Sequence, residues 1–236
     1  MTKVGIIGGI GPASTLDYYS GIINGYRQAT GEENYPEILI NSINMTEMLA
    51  YTRDEDWDSL TSMLVDAIGR LADAGAGFAA IASNTPHIVF DRVLECSPLP
   101  LLSIVKETAA YAQLNGCKKV VVIGLRFIMQ SGLYSKVFEK LGISAVVPSP
   151  GLQEVIHNLI FPDLENGIVV PQDKLRMLEI VGGLITEHDA DALVLGCTEL
   201  PLMIQDGDLE TLLLNTTQIH IDAIVRELIS LESFEP

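Results

Sequence analysis

The sequence predicts an α/β protein built as two similar lobes, each a parallel sheet flanked by helices. Three observations carry this expectation. Apolar, β-branched runs of strand length alternate with longer amphipathic segments along all 236 residues, the pattern of parallel sheets covered on both faces. "VGIIG", ending at Gly8, resembles "VVVIG", ending at Gly124, an offset of 116. "AGAGFAAIASNT" resembles "HDADALVLGCTE", which sets Ser83 against Cys197 at an offset of 114. Two matches in nearly the same register point to a duplicated unit.

The elements follow in order. "KVGIIG" reads as a strand; Gly8, Gly9, Gly11 and Pro12 break it, and a helix runs from about Ser14 to Arg27. "EILINSI" is the next strand, a helix covers Trp57 to Ala74, and "FAAIA" is a third strand. "TPHIVFDRVLE" reads as a helix and "LPLLSI" as a short strand. The second half repeats this with "KKVVVIG", a helix near Tyr134 to Leu141, and "SAVVPS". Helices then cover Leu152–Leu164 and Gln172–Glu187, followed by the strand "ALVLG". A last strand near "LLLNT" leads into the helix "TQIHIDAIVRELISL". The lobe boundary falls near Pro98–Ser103. The expected lobes are residues 1–101 with 214–236, and 102–213, the last strand and helix crossing back to the first.

Composition narrows the function. A formal net charge of −17 argues against nucleic acid and against anionic lipid surfaces. It also repels anionic substrates at long range, so a carboxylate ligand needs a local donor cluster. No apolar run reaches the roughly 18 residues of a membrane span, and "MTKVGIIGG" enters a strand directly, so a cytoplasmic protein is expected. The cysteines Cys96, Cys117 and Cys197 show no C-x-x-C spacing, which disfavours a zinc site or disulfide scaffold. Cys96 and Cys117 read as small apolar fillers.

In open parallel sheets ligands sit beyond the carboxyl ends of strands. The Gly8–Pro12 turn, Ser83-Asn84-Thr85 and Cys197-Thr198-Glu199 all fall there. "GGIGP" is neither a dinucleotide fingerprint nor a Walker loop; it is a tight turn or a backbone that also approaches a ligand. Cys197 precedes what reads as a helix start, which would lower its pKa, and it is either a catalytic or a packed core thiol. Ser83 is an N-cap hydroxyl or a group facing the same ligand. "IASNT" is not G-x-S-x-G, so a serine hydrolase is not supported. His87 can orient a neighbouring group, whereas His157, His188 and His220 read as surface or packing residues.

"GGIGPAST", "SNTPH" and "GCTELPL" together resemble the aspartate/glutamate racemase superfamily, in its order and spacing and over essentially the whole chain. The resemblance implies lobes related by pseudo-twofold symmetry with the active site between them. It also implies a homodimer, a small amino-acid substrate, and no cofactor or metal. One cysteine per lobe is the usual arrangement, since inversion takes a proton from one face of Cα and returns one to the other. By matching position Cys197 is the second-lobe thiol, and Ser83 replaces the first. Amides of Asn84, Thr85 and Thr198 would hold the α-carboxylate; Glu199, Gly9, Ile10, Thr52 and Arg126 complete the candidate substrate contacts.

The sequence also departs from the family pattern. Leu125 and Ile128 stand where racemases commonly show threonines, Glu165 aligns with a carboxylate-binding lysine, and "NSINMTEM" replaces a basic early segment. Arg53 and Arg126 remain as carboxylate partners or as solvated side chains. Three readings follow. The first is an amino-acid racemase, slower when Ser83's side must remove the proton. The others are a one-thiol decarboxylase of the arylmalonate type and a non-catalytic binder of amino or organic acids.

Overall fold

The computed structural model describes residues 2–31 and 33–232 and divides into two compact units. One comprises Met1–Ile104 with Thr217–Pro236, the other Val105–Thr216. The first contains β1 (Lys3–Gly8), α1 (Pro12–Thr30), β2 (Ile38–Ser42), α2 (Met45–Arg53), α3 (Trp57–Asp73), β3 (Ala76–Ile81), a 3-10 turn (Thr85–Val89), α4 (Phe90–Cys96) and β4 (Leu101–Leu102). The second runs through α5 (Ile104–Leu114), β5 (Lys119–Ile123), α6 (Arg126–Gln130), α7 (Leu133–Lys140), β6 (Ser144–Val146) and α8 (Pro150–Ile160). It continues with a 3-10 turn (Leu164–Asn166), α9 (Pro171–His188), β7 (Ala192–Leu195), α10 (Leu200–Met203) and β8 (Leu212–Asn215). The closing helix α11 (Thr216–Glu232) packs Ile221, Ile224, Val225 and Leu228 against Tyr18 and Ile22 of α1.

Each unit holds a four-stranded parallel sheet, ordered β2-β1-β3-β4 in the first and β6-β5-β7-β8 in the second. The two orders are the same once each strand is matched to its counterpart four places on. The duplication extends to single hydrogen bonds. Ala82 N–H donates to the Ile7 carbonyl across β3 and β1 (3.0 Å), and Gly196 N–H donates to Ile123 across β7 and β5 (2.8 Å). The central strands β1, β3, β5 and β7 are buried almost throughout, which is why they read as continuous apolar runs. In α3, Leu60, Leu64, Ala67, Ile68 and Leu71 recur at helical spacing and face the sheet, and Asp56 caps it by accepting from Ser59 N–H at 3.0 Å.

Several expected elements differ. The last strand pairs with β7, so β8 completes the second sheet and only α11 crosses back. The expected helix over 85–95 is a 3-10 turn followed by α4. The expected helix 152–164 stops at Ile160, because Pro162 has no N–H to continue it, and resumes as the 3-10 turn at Leu164. Helices α2, α5 and α6 lie outside the expected elements, and the helix start expected after Cys197 is the four-residue α10. Cys117 is a buried filler as expected, whereas Cys96 is exposed at the end of α4. No helix among the described residues is long and apolar enough to cross a membrane.

Candidate active site

In the first unit, the loops after the neighbouring strands β1 and β3 emerge at the carboxyl edge of the sheet. Gly9 adopts φ +83°, and a Cβ there would lie 2.5 Å from the Ile43 carbonyl oxygen, so the turn requires glycine. Its N–H donates to Thr15 Oγ1 at 2.9 Å, and Thr15 in turn donates to the Gly11 carbonyl. The Gly9 amide, a candidate substrate contact, is therefore engaged by α1. Ile10 is 3% exposed and packs in the core with Met48 and Phe90. Thr52, also buried, spends its hydroxyl on the Met48 carbonyl at 3.0 Å. The side chains of Ile10 and Thr52, both candidate substrate contacts, thus have partners within the first unit.

The Ser83 loop is held from below. Ser14, buried on α1, donates its hydroxyl to the Ala82 carbonyl at 3.0 Å. His87 Nδ1 lies 2.9 Å from the Ser83 carbonyl, so the ring orients the Ser83 backbone as the sequence suggested, and it stacks on Phe90 at 5.0 Å. Ser83 and Thr85 are half-buried and Asn84 is buried. Behind them Tyr18 Oη is 2.8 Å from His220 Nδ1, and His220 Nε2 is 3.2 Å from the Leu102 carbonyl. The carbonyl requires a donor, so Nε2 carries the proton and Nδ1 accepts from the tyrosine. Burial, then the neighbouring His87, lowers the His220 pKa to about 3, which keeps the ring neutral.

The second unit presents Cys197 at the equivalent place, two residues past the end of β7 as Ser83 is two past the end of β3. A Cβ on Gly196 would sit 2.7 Å from the Ile123 carbonyl oxygen, so only glycine permits this close approach just before the thiol. Tyr134, on α7, packs near Gly196, and Thr216 donates to the Leu195 carbonyl at 2.8 Å. Cys197 Sγ donates to Glu199 Oε2 at 3.0 Å, and Thr198 Oγ1 donates to the same oxygen at 2.8 Å. Both ends of this contact are buried, Cys197 at 6% exposure and Glu199 at 7%.

This environment reverses the expected shift of the thiol. α10 is only four residues long and begins three residues after Cys197, too short and too far to act as an N-terminal dipole. Burial, then the Glu199 charge and its acceptance of the S–H proton, push the thiol pKa well up. Cys197 is thus a protonated thiol already pointing its proton at a carboxylate. Glu199, expected to contact substrate, has its Oε2 committed to Cys197 and Thr198. Arg126, at the start of α6, pairs with Glu154 of α8 at 2.5 Å, and Arg53 is exposed and pairs with Asp54 at 2.8 Å. Both arginines expected as carboxylate partners already hold an acidic neighbour.

Sequence reasoning missed the supports beneath the loops, Ser14, Tyr18 and His220, and the thiol–carboxylate contact itself. One signal for the supports was available, since Tyr18 and Tyr134 lie at the same 116-residue offset as Gly8 and Gly124. Among the described residues no cluster of His, Cys, Asp and Glu is placed to hold a metal ion.

The comparisons with known proteins agree with this frame. A broad specificity amino-acid racemase of Bacillus subtilis, RacX, is 28% identical over 207 residues, 84% of this chain and 85% of its own. An aspartate racemase homologue from Pyrococcus horikoshii OT3 superposes with a TM-score of 0.85 at 35% identity, covering 99% of this chain and 100% of its own. A provisionally assigned Asp/Glu racemase from Yersinia pestis gives a TM-score of 0.90 at 27% identity, covering 97% of this chain and 100% of its own. Residues 7–224 match the family model described as Asp/Glu/Hydantoin racemase, and the chain belongs to that family.

Proposed function

We propose that the protein is a cofactor-independent amino-acid racemase that inverts Cα by proton transfer, with Cys197 as the thiol acid/base and Ser83 in the place of a second thiol. Family membership and the likeness to the Bacillus racemase support the reaction class. The observation that carries the residue assignment is the buried Cys197–Glu199 hydrogen bond, at the loop position that Ser83 occupies in the duplicate unit. A homodimer acting in the cytoplasm on a free amino acid is part of the same proposal.

At rest the thiol is protonated, so it is ready to donate to a carbanion. To act as base it first passes its proton to Glu199, 3.0 Å away, leaving a thiolate beside a neutral carboxylic acid. The thiolate then removes the Cα proton, and the electron pair spreads into the substrate's α-carboxylate, which the amides of Asn84, Thr85 and Thr198 stabilise. A proton from the Ser83 hydroxyl, or from a water that it holds, completes inversion on the other face; solvent restores that proton and takes the one left on Glu199, returning the site to its starting state. A serine hydroxyl is a far weaker acid than a thiol and rarely forms a base. Cα–H exchange is therefore slower for the enantiomer whose proton faces Ser83, while an equilibrium constant of one keeps kcat/KM for inversion equal in the two directions.

Incubating each pure enantiomer of a panel of amino acids in D₂O, and following Cα–H exchange and optical rotation, tests the reading. Exchange with inversion of at least one amino acid, lost in Cys197→Ala, is the expected result. No exchange with any of them overturns it. A second reading, a one-thiol decarboxylase, is favoured by the same protonated state of Cys197, which suits a group that only donates. Release of CO₂ from a substituted malonate, without amino-acid exchange, selects that reading.

A further inference from the structure

The first unit carries a cleft that the proton-transfer chemistry does not use. On α3 the apolar stripe of Leu60, Leu64, Ala67 and Leu71 faces the sheet. Beside it Ser59, Ser62, Asp66 and Arg70 recur at helical spacing as a polar stripe. β2 is the edge strand, so no further strand covers that stripe. The space between α3, the end of β2 and α2 is an open cleft of about 450 Å³, within the range of small-molecule sites. Half-buried Ile43 and Met63 give it an apolar lining, and Asn41, Ser59 and Ser62 add neutral hydrogen-bonding groups.

The charges in the cleft are of both signs. Asp66 and Arg70 stand one turn apart on α3 and both line it, yet neither makes an ion pair or hydrogen bond among the described residues. Glu47, on α2, is held in place by Tyr51, whose hydroxyl donates to its Oε1 at 2.8 Å. A carboxylate alone would meet two like charges, and an amine alone would leave Arg70 without a counter-charge. A molecule with both groups on one carbon offers an acceptor to Arg70 and a donor to Asp66 or Glu47. That is the chemistry of a free α-amino acid.

None of these side chains belongs to the loops that carry Ser83 and Cys197. The cleft wall is nonetheless tied to the turn after β1. Ile43 N–H donates to the Gly8 carbonyl at 3.0 Å, and the Ile43 carbonyl leaves no room for a Cβ on Gly9.

We propose that this cleft is a further amino-acid site, taking a zwitterionic α-amino acid with its carboxylate on Arg70 and its ammonium on Asp66 and Glu47. It fills whether or not Cys197 turns a substrate over, and its occupancy reaches Gly8 and Gly9 through the Ile43 backbone.

The test follows two-dimensional amide NMR spectra of the whole chain during titration with L-alanine and L-serine. Propionate and propylamine serve as single-charge controls. Shifts are expected at residues 41–47 and 59–70, extending to Gly8 and Gly9, and not with either control at the same concentrations. Affinity should fall roughly tenfold or more in Arg70→Gln and in Asp66→Asn, on loss of a charge-assisted hydrogen bond, and persist in Cys197→Ala. The dispersion of the same spectra establishes that each variant folds. Shifts confined to the loops after β3 and β7, or an equal response to propionate or propylamine, overturn the inference. So does an affinity unchanged in both charge variants. Shifts of the cleft amides on dilution without ligand would show a second copy of the chain covering it, and overturn the inference as well. Absence of Cα exchange in a protein whose cleft still binds counts against the racemase reading alone.

Discussion

The loops after β3 and β7 begin alike and end differently. Both leave the central part of a parallel sheet, both are anchored by a backbone bond to the neighbouring strand, and both place a small polar side chain two residues past the strand end. After Ser83 the chain turns at once into the 3-10 segment, and His87 grips the Ser83 carbonyl. After Cys197 it passes through Thr198 and Glu199, whose carboxylate collects both the thiol and the threonine hydroxyl. One copy is built to hold a backbone in place, the other to hold a proton. A duplicated scaffold has kept its geometry while its two halves took on unequal chemistry.

The comparison breaks most sharply at the thiol. Cys197→Ala should lower Cα exchange of both enantiomers by about 10³-fold, because it removes the group on which the abstracting face depends. The fold should survive, since deleting one buried sulfur from a core position costs only about 1 kcal/mol. A variant that folds and keeps wild-type exchange would place the chemistry elsewhere.

Glu199→Gln is the next largest change and shows whether the proton-holding partner matters. Kcat should drop roughly 10- to 100-fold, as expected on losing a positioned proton acceptor. The pH profile carries the sharper information. Glu199's charge holds the thiol pKa up, so the neutral amide lets it fall, and the rising limb that reports thiolate formation moves to lower pH. A limb that stays put would mean that Glu199 only packs against the thiol.

Much of this frame was legible in the sequence, for definable reasons. Strands buried on both faces must be apolar throughout, so β1, β3, β5 and β7 announce themselves, and a repeated backbone register aligns Ser83 with Cys197. Helix α5 was hidden because Ile104 and Val105 extend the apolar run of "LPLL", and nothing in the pattern marks where strand gives way to helix. α2 is short and leaves Glu47 and Arg53 exposed, so its periodicity is faint. The approach of Glu165 to the thiol loop depends on a 3-10 turn docking onto α10, a contact that no local spacing encodes. For the same reason the thiol's shift was read with the wrong sign: a helix start was visible in the sequence, and a buried carboxylate folding back onto the sulfur was not.

Ser83→Ala tests the weaker half, and equilibrium constrains how. Racemisation has an equilibrium constant of one, so kcat/KM for inversion stays equal in both directions whatever is mutated. The asymmetry should appear instead as exchange without inversion: Cys197 still removes and returns a proton on its own face while the opposite face lacks its donor. The ratio of exchange to inversion should rise about tenfold for the enantiomer that Cys197 deprotonates. An unchanged ratio would make Ser83 a spectator and leave the opposite face to water.

The smallest effect concerns what lies beneath the two loops. The first rests on Tyr18 and His220, the second on Tyr134 with hydrogen bonds to Thr216 and Thr108. Only the first support titrates in the acid range. His220 has a pKa of about 3 when folded and an ordinary value near 6.5 when unfolded, so between these limits the unfolded chain binds the extra proton. The stability that neutral His220 provides is complete above about pH 6.5 and is lost as pH falls toward 3. Trp57, the single tryptophan, packs beside the core of the first unit and reports its unfolding by fluorescence. His220→Gln should flatten the pH dependence across that window while costing on the order of 1–2 kcal/mol at neutral pH, through an imperfect match to Tyr18 and the Leu102 carbonyl. If the acid titrations of variant and wild type superimpose, the buried histidine is not what makes the first unit the acid-sensitive one.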